Sequence, residues 1–279
     1  MYWVLTTFML FLGLSLGSWQ SALSQESSVT FLPAGHVFAP LLADPREPNT
    51  SVAISPDLTQ YDGALGGTLD LLRWSNYDGS RWAWGVLGSG YLSILRYSYT
   101  QQPFNFRLED IDLWWGTYVG ESSGSFSNRL EYLHGTSHLG DYYFFSGLQP
   151  ISYTRDGLQL TGSFQPSPFF RLYGGLGYWL YADPSAPSLF AQLGTEVYTN
   201  YSHFNGNLFR GFFAYDLKIG NEVNGVLDQN FELGVQLKGP KEDSPDIRLA
   251  VLYYNGNNLY GQFYGQSDNH WSFGFFVDP

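Results

Sequence analysis

The densest run of potentially reactive side chains is Arg129 to Phe145, R-L-E-Y-L-H-G-T-S-H-L-G-D-Y-Y-F-F. It brings His134, Thr136, Ser137 and His138 together, with Asp141 three residues further on. A histidine within hydrogen-bond reach of a hydroxyl can take its proton and create a nucleophile, and a third polar group then has to orient the imidazole. The chemistry open to this stretch is therefore acyl transfer, with His134 as base and Ser137 or Thr136 as nucleophile. In an extended chain successive side chains alternate between faces. His134, Thr136 and His138 then share one face with Leu130 and Tyr132, while Ser137 shares the other with Glu131, Gly135 and Asp141, unless Gly135 carries a bulge. The competing role for both histidines is structural, in an aromatic belt or an interior hydrogen bond. Asp141 and Asp156 are the carboxylates open to a calcium ion, although no EF-hand-like ligand spacing accompanies them. No glycine-rich phosphate loop and no His-Glu-x-x-His zinc motif occurs, and no other cofactor is indicated.

The element that must position these residues is one long strand among many. The pattern predicts strands at 49–58, 63–74, 81–96, 104–119, 126–145, 151–165, 169–182, 189–200, 208–219, 227–239, 246–264 and 270–277. Turn chemistry separates them, as at Asn76 to Ser80, Glu121 to Ser125, Pro166-Ser167-Pro168, Asp183 to Pro187 and Asn221 to Gly225. Asp156-Gly157 and Asn255-Gly256 are hairpin signals inside two of these segments. Cutting there leaves arms short of the ~9–11 residues a bilayer crossing needs, so Asn255-Gly256 reads as a bulge or a strand extended above the membrane. In Phe106-Arg107-Leu108-Glu109 charged and apolar residues alternate, and Asp110-Ile111-Asp112-Leu113 continues with shifted parity, predicting a bulge near Glu109-Asp110. Arg107, Glu109, Asp110 and Asp112 then face an interior, with Arg73, Arg96, Glu131, Arg171, Glu196 and Glu232 in the same charged network.

Composition points the same way. The chain has 279 residues, 19% of them aromatic, 32 glycines and a mean hydropathy of only -0.17. A helical membrane protein needs repeated apolar runs of about 20 residues. A transmembrane barrel alternates lipid-facing apolar residues with polar lumen residues. Aromatics collect near predicted strand ends, as at Trp82, Trp84, Trp114, Trp115, Tyr142 to Phe145 and Tyr178 to Tyr181, where membrane interfaces favour them. The absence of cysteine excludes disulfides, thiolate metal sites and a lipid anchor on an N-terminal cysteine. A net charge of -12 argues against nucleic acid.

Residues 1–24 have the form of a secretory signal peptide, with an apolar core at Val4 to Leu16, small residues before Gln25, and no basic residue in the first three positions. Residues 25–48 hold four prolines and are expected to form a non-strand strap or plug ahead of a barrel at 49–279.

Two resemblances add to this. With His134-x-Thr136 and Ser137 on a mid-chain strand, the layout resembles outer-membrane phospholipase A, a twelve-stranded barrel whose catalytic His-x-Ser faces lipid. That likeness implies an acyl hydrolase acting on phospholipid. Lipid A deacylases, smaller barrels with a His-x-Ser motif, are a weaker analogue. The segments Leu41-Leu42-Ala43-Asp44-Pro45-Arg46-Glu47-Pro48, Ser137-His138-Leu139-Gly140-Asp141 and Tyr260-Gly261-Gln262-Phe263-Tyr264 resemble a bacterial family known only as a domain of unknown function. That family spans nearly the whole mature chain and implies no activity.

The expectation is an all-β, transmembrane, antiparallel up-and-down β-barrel of about twelve strands. It is exported by a cleaved signal peptide to the outer membrane of a Gram-negative bacterium. Its lumen is largely filled, and it acts as a structural or interaction component or as a narrow pore. Outer-membrane lipid and outer-membrane or periplasmic proteins are its expected partners. The alternatives are a lipid acyl hydrolase using His134 with Ser137 or Thr136, and a soluble secreted β-domain.

Overall fold

The computed structural model describes residues 28–99, 102–141, 143, 147–204, 207–223, 225–240 and 244–278. The signal-peptide expectation, Tyr142, Phe144 and Phe145 lie outside them.

Among the described residues fourteen strands follow in order: β1 (Val29–Phe31), β2 (Thr50–Ile54), β3 (Gln60–Ser75), β4 (Arg81–Tyr99), β5 (Gln102–Ser123), β6 (Phe126–Leu139), β7 (Thr154–Ser167), β8 (Phe170–Asp183), β9 (Leu189–Tyr198), β10 (Ser202–Phe204), β11 (Asn207–Ile219), β12 (Leu227–Leu237), β13 (Asp246–Asn257) and β14 (Ser267–Asp278). Every pairing is antiparallel. Neighbours in sequence pair in turn from β2 to β14, except that β9 pairs directly with β11, and β14 returns to β2. Twelve strands thus close a barrel, with β1 added on β3 and β10 on β11.

The strands form where the sequence alternates. Along β9, Phe190, Gln192, Gly194 and Glu196 point inward and are buried, while Leu189, Leu193 and Val197 point outward and are exposed. Along β12, Asp228, Asn230 and Glu232 are buried and Leu227, Leu233 and Val235 are exposed. This inverts a water-soluble fold. Leu65, Leu176, Leu189 and Leu233 are 63–73% exposed, whereas Asp70, Asp110, Asp112, Glu196 and Asp216 are at most 1% exposed. On the outer wall Tyr215, Phe231, Tyr253 and Trp271 stand side by side on four successive strands, their ring centroids 4.5, 6.1 and 4.7 Å apart.

The parity shift in β5 is a bulge: Ser93 pairs with Asp110 and Ile94 with Leu108, leaving Glu109 as the extra residue. Asn255-Gly256 lies within an unbroken β13, with Asn255 paired on both sides and Gly256 opposite Asp268 of β14, so it extends the strand rather than turning it. Two expected strands end six or seven residues early. β6 stops at Leu139, and β13 stops at Asn257, after which residues 258–266 fold into the barrel mouth through a short 3-10 turn at Gly261–Phe263.

β1 and β2 lie in one lane beside β3. In the register set by Val29 opposite Trp74, residue 39 would stand opposite Ala64; Ser51 stands there instead. The two are halves of one strand with twelve extra residues looped between them. Positive φ at Leu32 (48°) and Gly35 (68°) turns the chain out of the lane, a backbone conformation that glycine adopts without steric cost. Val37, Phe38, Leu41, Ala43, Asp44 and Glu47 are then buried inside the barrel.

Candidate functional site

Two regions carry the polar chemistry: the lumen, and a cluster on the outer wall. The barrel end holding the tight turns at 76–80, 124–125 and 168–169 is the turn end; the opposite end, with residues 147–153, 220–223 and 258–266, is the loop end.

The insert between β1 and β2 meets a charged wall that matches it residue by residue. Asp44 accepts from Lys218 Nζ at 2.7 Å and from Gln192 Nε2 at 2.8 Å. Arg46 Nη2 donates to Asp112 Oδ2 at 2.5 Å, and its carbonyl accepts from Tyr91. Glu47 takes both terminal nitrogens of Arg129, at 2.7 and 2.8 Å. Arg129 Nε also lies 2.9 Å from Glu131, an ion pair without hydrogen-bond geometry. The insert's backbone is held as well: Arg171 donates to the carbonyls of Ala39 and Pro40, Asn230 to that of Ala43, Leu42 N–H to Glu196, and Val37 N–H to Asp70. Buried backbone groups need such partners, and here the barrel wall supplies them. Burial by itself would push the Asp44 carboxyl up; Lys218 and the Arg46 N–H outweigh it and hold Asp44 below its ordinary value. Burial likewise opposes the Arg46 charge, and Asp112 more than compensates.

Residues 258–266 close the loop end. Gly261 N–H points at both oxygens of Asp112, at 3.2 Å, and Gln262 N–H donates to Ser137 Oγ at 3.0 Å. A Cβ on Gly261 would lie 2.6 Å from Ser137 Cβ and from Tyr153 Cδ1, so only glycine fits. Arg155 binds Glu222 Oε2 at 2.6 Å and the carbonyl of Pro184 at 2.9 Å, tying two further loops to β7. Burial, then Glu222, pushes the Tyr153 hydroxyl well up, so it donates to Glu222 as a neutral phenol.

The expected site residues separate onto two faces. Ser137 faces the lumen, buried, and donates to Asp110 Oδ1 at 3.0 Å. His134 faces outward, with its ring 5.1 Å from that of Trp115. The register of β6 against β5 and β7 runs unbroken past Gly135, so no bulge brings His134 and Ser137 to one face. Ser137 and His134 therefore stand on opposite faces of β6. Thr136 and His138 share the His134 face. What His134 does touch is Asp156, directly opposite on β7: Nδ1 lies 2.8 Å from Oδ1, which also accepts from Tyr132 at 2.7 Å. Asp156 is thus committed to a histidine and a tyrosine. Asp141 is exposed at the loop end. Among the described residues no three His, Asp or Glu side chains converge to hold a metal ion.

Sequence reasoning missed the Asp156 partnership, which joins residues 22 apart through strand pairing alone. It also missed the wall partners of the insert. Beside the insert lie cavities of about 60 and 100 Å³ within the lumen, and one of about 290 Å³ at the turn end, walled by Arg171, Glu196, Arg210 and Asp246.

No curated protein matches the chain. Among solved structures, the beta domain of the Bordetella autotransporter BrkA is similar at a TM-score of 0.46 and 13% identity, covering 83% of this chain and 96% of that one. OmpT, an outer membrane protein of Vibrio cholerae, is similar at a TM-score of 0.34 and 11% identity, covering 82% and 94%. At such scores the barrel assignment stands on the strand register above and not on these likenesses. A family model described as a protein of unknown function, DUF1207, matches residues 21–277, and the chain belongs to that family.

Proposed function

We propose that this protein is an outer-membrane β-barrel held shut by its own N-terminal insert. It serves as a structural or interaction component of that membrane, or as a narrow pore once the insert leaves. The observation that carries this is the pairing of each charged side chain of the insert, Asp44, Arg46 and Glu47, with an opposite charge on the wall. The membrane setting is supported by the exposed leucines on the outer wall and by the row Tyr215, Phe231, Tyr253 and Trp271. On β6, Phe126 and His134 are eight residues apart. At ~3.3 Å per residue and a tilt near 40° that is about 20 Å, close to the ~25 Å apolar band of such barrels. No described helix is long and apolar enough to cross a membrane, so any crossing is made by strands. The turn end, where β1 and the end of β14 lie, is then the periplasmic end.

The test follows from the split strand. Deleting residues 37–48 removes the twelve extra residues and restores one continuous register; Pro33→Thr and His36→Val suit the joined segment to a strand. In planar bilayers the wild type is expected to stay closed and the deletion to conduct. A wild type that conducts as well as the deletion, or a folded deletion that stays closed, rejects the filled-lumen reading. If the deletion does not fold, the full chain carrying Asp44→Asn and Glu47→Gln takes its place.

A second reading, acyl hydrolysis from the lipid-facing wall, is favoured by one observation: Asp156 holds His134 Nδ1 at 2.8 Å, as an orienting carboxylate would. Thr136 is the hydroxyl on that face. Acyl release from phospholipid or lipid A that disappears in His134→Ala, Asp156→Asn and Thr136→Val would support it. No release above background by the folded wild type, with or without calcium, rejects it.

A further inference from the structure

We infer that the turn-end cavity is a binding site for an oxyanion, a phosphate or carboxylate group carried by a small ligand, with Arg210 as its principal contact. Inside the barrel Arg46, Arg73, Arg129, Arg155, Arg171 and Arg248 each hold a carboxylate. Arg210 does not. Its guanidinium carbon lies 3.8 Å from the ring centre of Tyr198 and 4.9 Å from that of Tyr201, which fixes its plane. Its Nε donates to Gln236 Oε1 at 2.7 Å. Gln236 cannot turn its amide to offer a donor instead, because its Nε2 is held by Asp246 Oδ2 at 3.0 Å. Asp246 gives its other oxygen to the Gly239 N–H at 2.8 Å. The carboxylate on the neighbouring strand therefore orients the site, while the terminal nitrogens of Arg210 are left without a partner among the described residues.

A second cation stands beside the first. Arg210 is opposite Gln236 across β11 and β12, and Lys238, two residues beyond Gln236, lies on the same face with its N–H on the Leu208 carbonyl. Lys238 is exposed and has no carboxylate partner among the described residues. A guanidinium stacked on aromatic rings with a free planar edge is preorganised for two parallel hydrogen bonds to a carboxylate or phosphate. Both cations line the cavity of about 290 Å³ at the turn end, while the insert blocks the way onward. The ligand therefore enters and leaves from that end and does not pass through the barrel. Arg171 on the same wall is spent on Glu196, Ser163 and the insert carbonyls, so it anchors the floor and takes no part in binding.

Calorimetric titration of the full chain in detergent, with pyrophosphate and separately with citrate, tests this against sodium chloride at matched ionic strength. The expected result is saturation at one anion per chain. Arg210→Gln should weaken it at least tenfold, Arg210→Lys should have an intermediate effect, and Lys238→Gln a smaller one. Tighter pyrophosphate binding points to a phosphate ligand and tighter citrate binding to a carboxylate. No saturable heat beyond the chloride control, or an Arg210→Gln protein that binds as the wild type does, overturns the inference. Should Arg210→Gln fail to fold, Lys238→Glu decides: its side chain is exposed, and unchanged affinity there overturns the site as well.

Discussion

The triad of Glu47, Arg129 and Glu131 makes unequal demands on its members, and that inequality can be measured. Arg129 is 3% exposed and, among the described residues, is the cation in ion-pair contact with two carboxylates that are 3% and 4% exposed. Arg129→Met strands both carboxylates in the lumen. Removing one partner of a buried ion pair costs about 3–5 kcal/mol, and here two acids lose their partner at once, so the upper end of that range applies. Glu47→Gln leaves Arg129 still facing Glu131 and keeps an oxygen for one of the two hydrogen bonds. Its cost is that of one charge-assisted hydrogen bond, about 1.5–3 kcal/mol. The lumen offers an escape: the insert can undock and let water hydrate the stranded acids. A loss of about 4–5 kcal/mol shifts the closed-to-open ratio by about three orders of magnitude. Urea unfolding in detergent, followed by tryptophan fluorescence, together with open probability in planar bilayers, reads both effects. Arg129→Met should be the more damaging of the two, and adding Glu131→Gln to it should recover part of the loss. Equal costs for the two single variants, or an Arg129→Met barrel as stable and as closed as the wild type, would refute this account of how the insert is held.

Other consequences can be checked alongside. Because the folded Asp44 value lies below its ordinary 3.8, its stabilisation is complete above that pH and is lost as pH falls through the folded value. Open probability should therefore rise below about pH 4, and in Lys218→Met the rise should move to higher pH, since burial then dominates. Gly261→Ala has to displace Ser137 or Tyr153 and should cost about 1–3 kcal/mol, seen as faster proteolysis within residues 258–266; unchanged cleavage would show that the contact yields freely. Leu176 sits at the middle of β8 and is 69% exposed. Leu176→Arg should cost about 2–4 kcal/mol in a bilayer, whereas a water-facing site would tolerate it.

Strand identity was legible because the barrel strands, as in β9 and β12, follow a two-residue period with apolar residues outside and mostly polar or small ones inside. The bulge at Glu109 was legible for the same reason, since a one-residue insertion flips parity. Boundaries failed where apolar residues leave the lipid-facing lane. Leu259, Tyr260 and Phe263 read as strand, but they pack into the loop-end core around Trp114 and Tyr153. The lumen charges were legible as a set and illegible as pairs, because Asp44–Lys218 and Glu47–Arg129 join residues 174 and 82 positions apart. The mid-chain motif was half legible. Alternation put Ser137 opposite to His134 in direction, yet nothing in the sequence tied His134 to Asp156, whose juxtaposition depends on the register of β6 on β7. Arg210 carried no signal at all, since its interest lies in a partner it lacks.

The insert is fastened at both ends to the strand that flanks it. Eighteen residues lie between Phe31 and Thr50, and at about 3.4 Å each they reach roughly 60 Å, well beyond the turn end. The segment can therefore leave the lumen entirely while β1 and β2 stay hydrogen-bonded to β3. It behaves as a ligand on a short leash, present at an effective concentration of the order of millimolar. Opening is then intrinsically reversible. A free peptide copying residues 33–49 would have to be supplied at about that concentration before it could displace the tethered segment from the lumen. Cutting the chain on the β2 side of the insert, which leaves the three-residue β1 to hold it without a covalent link, should turn a self-closing barrel into one whose closure depends on dilution.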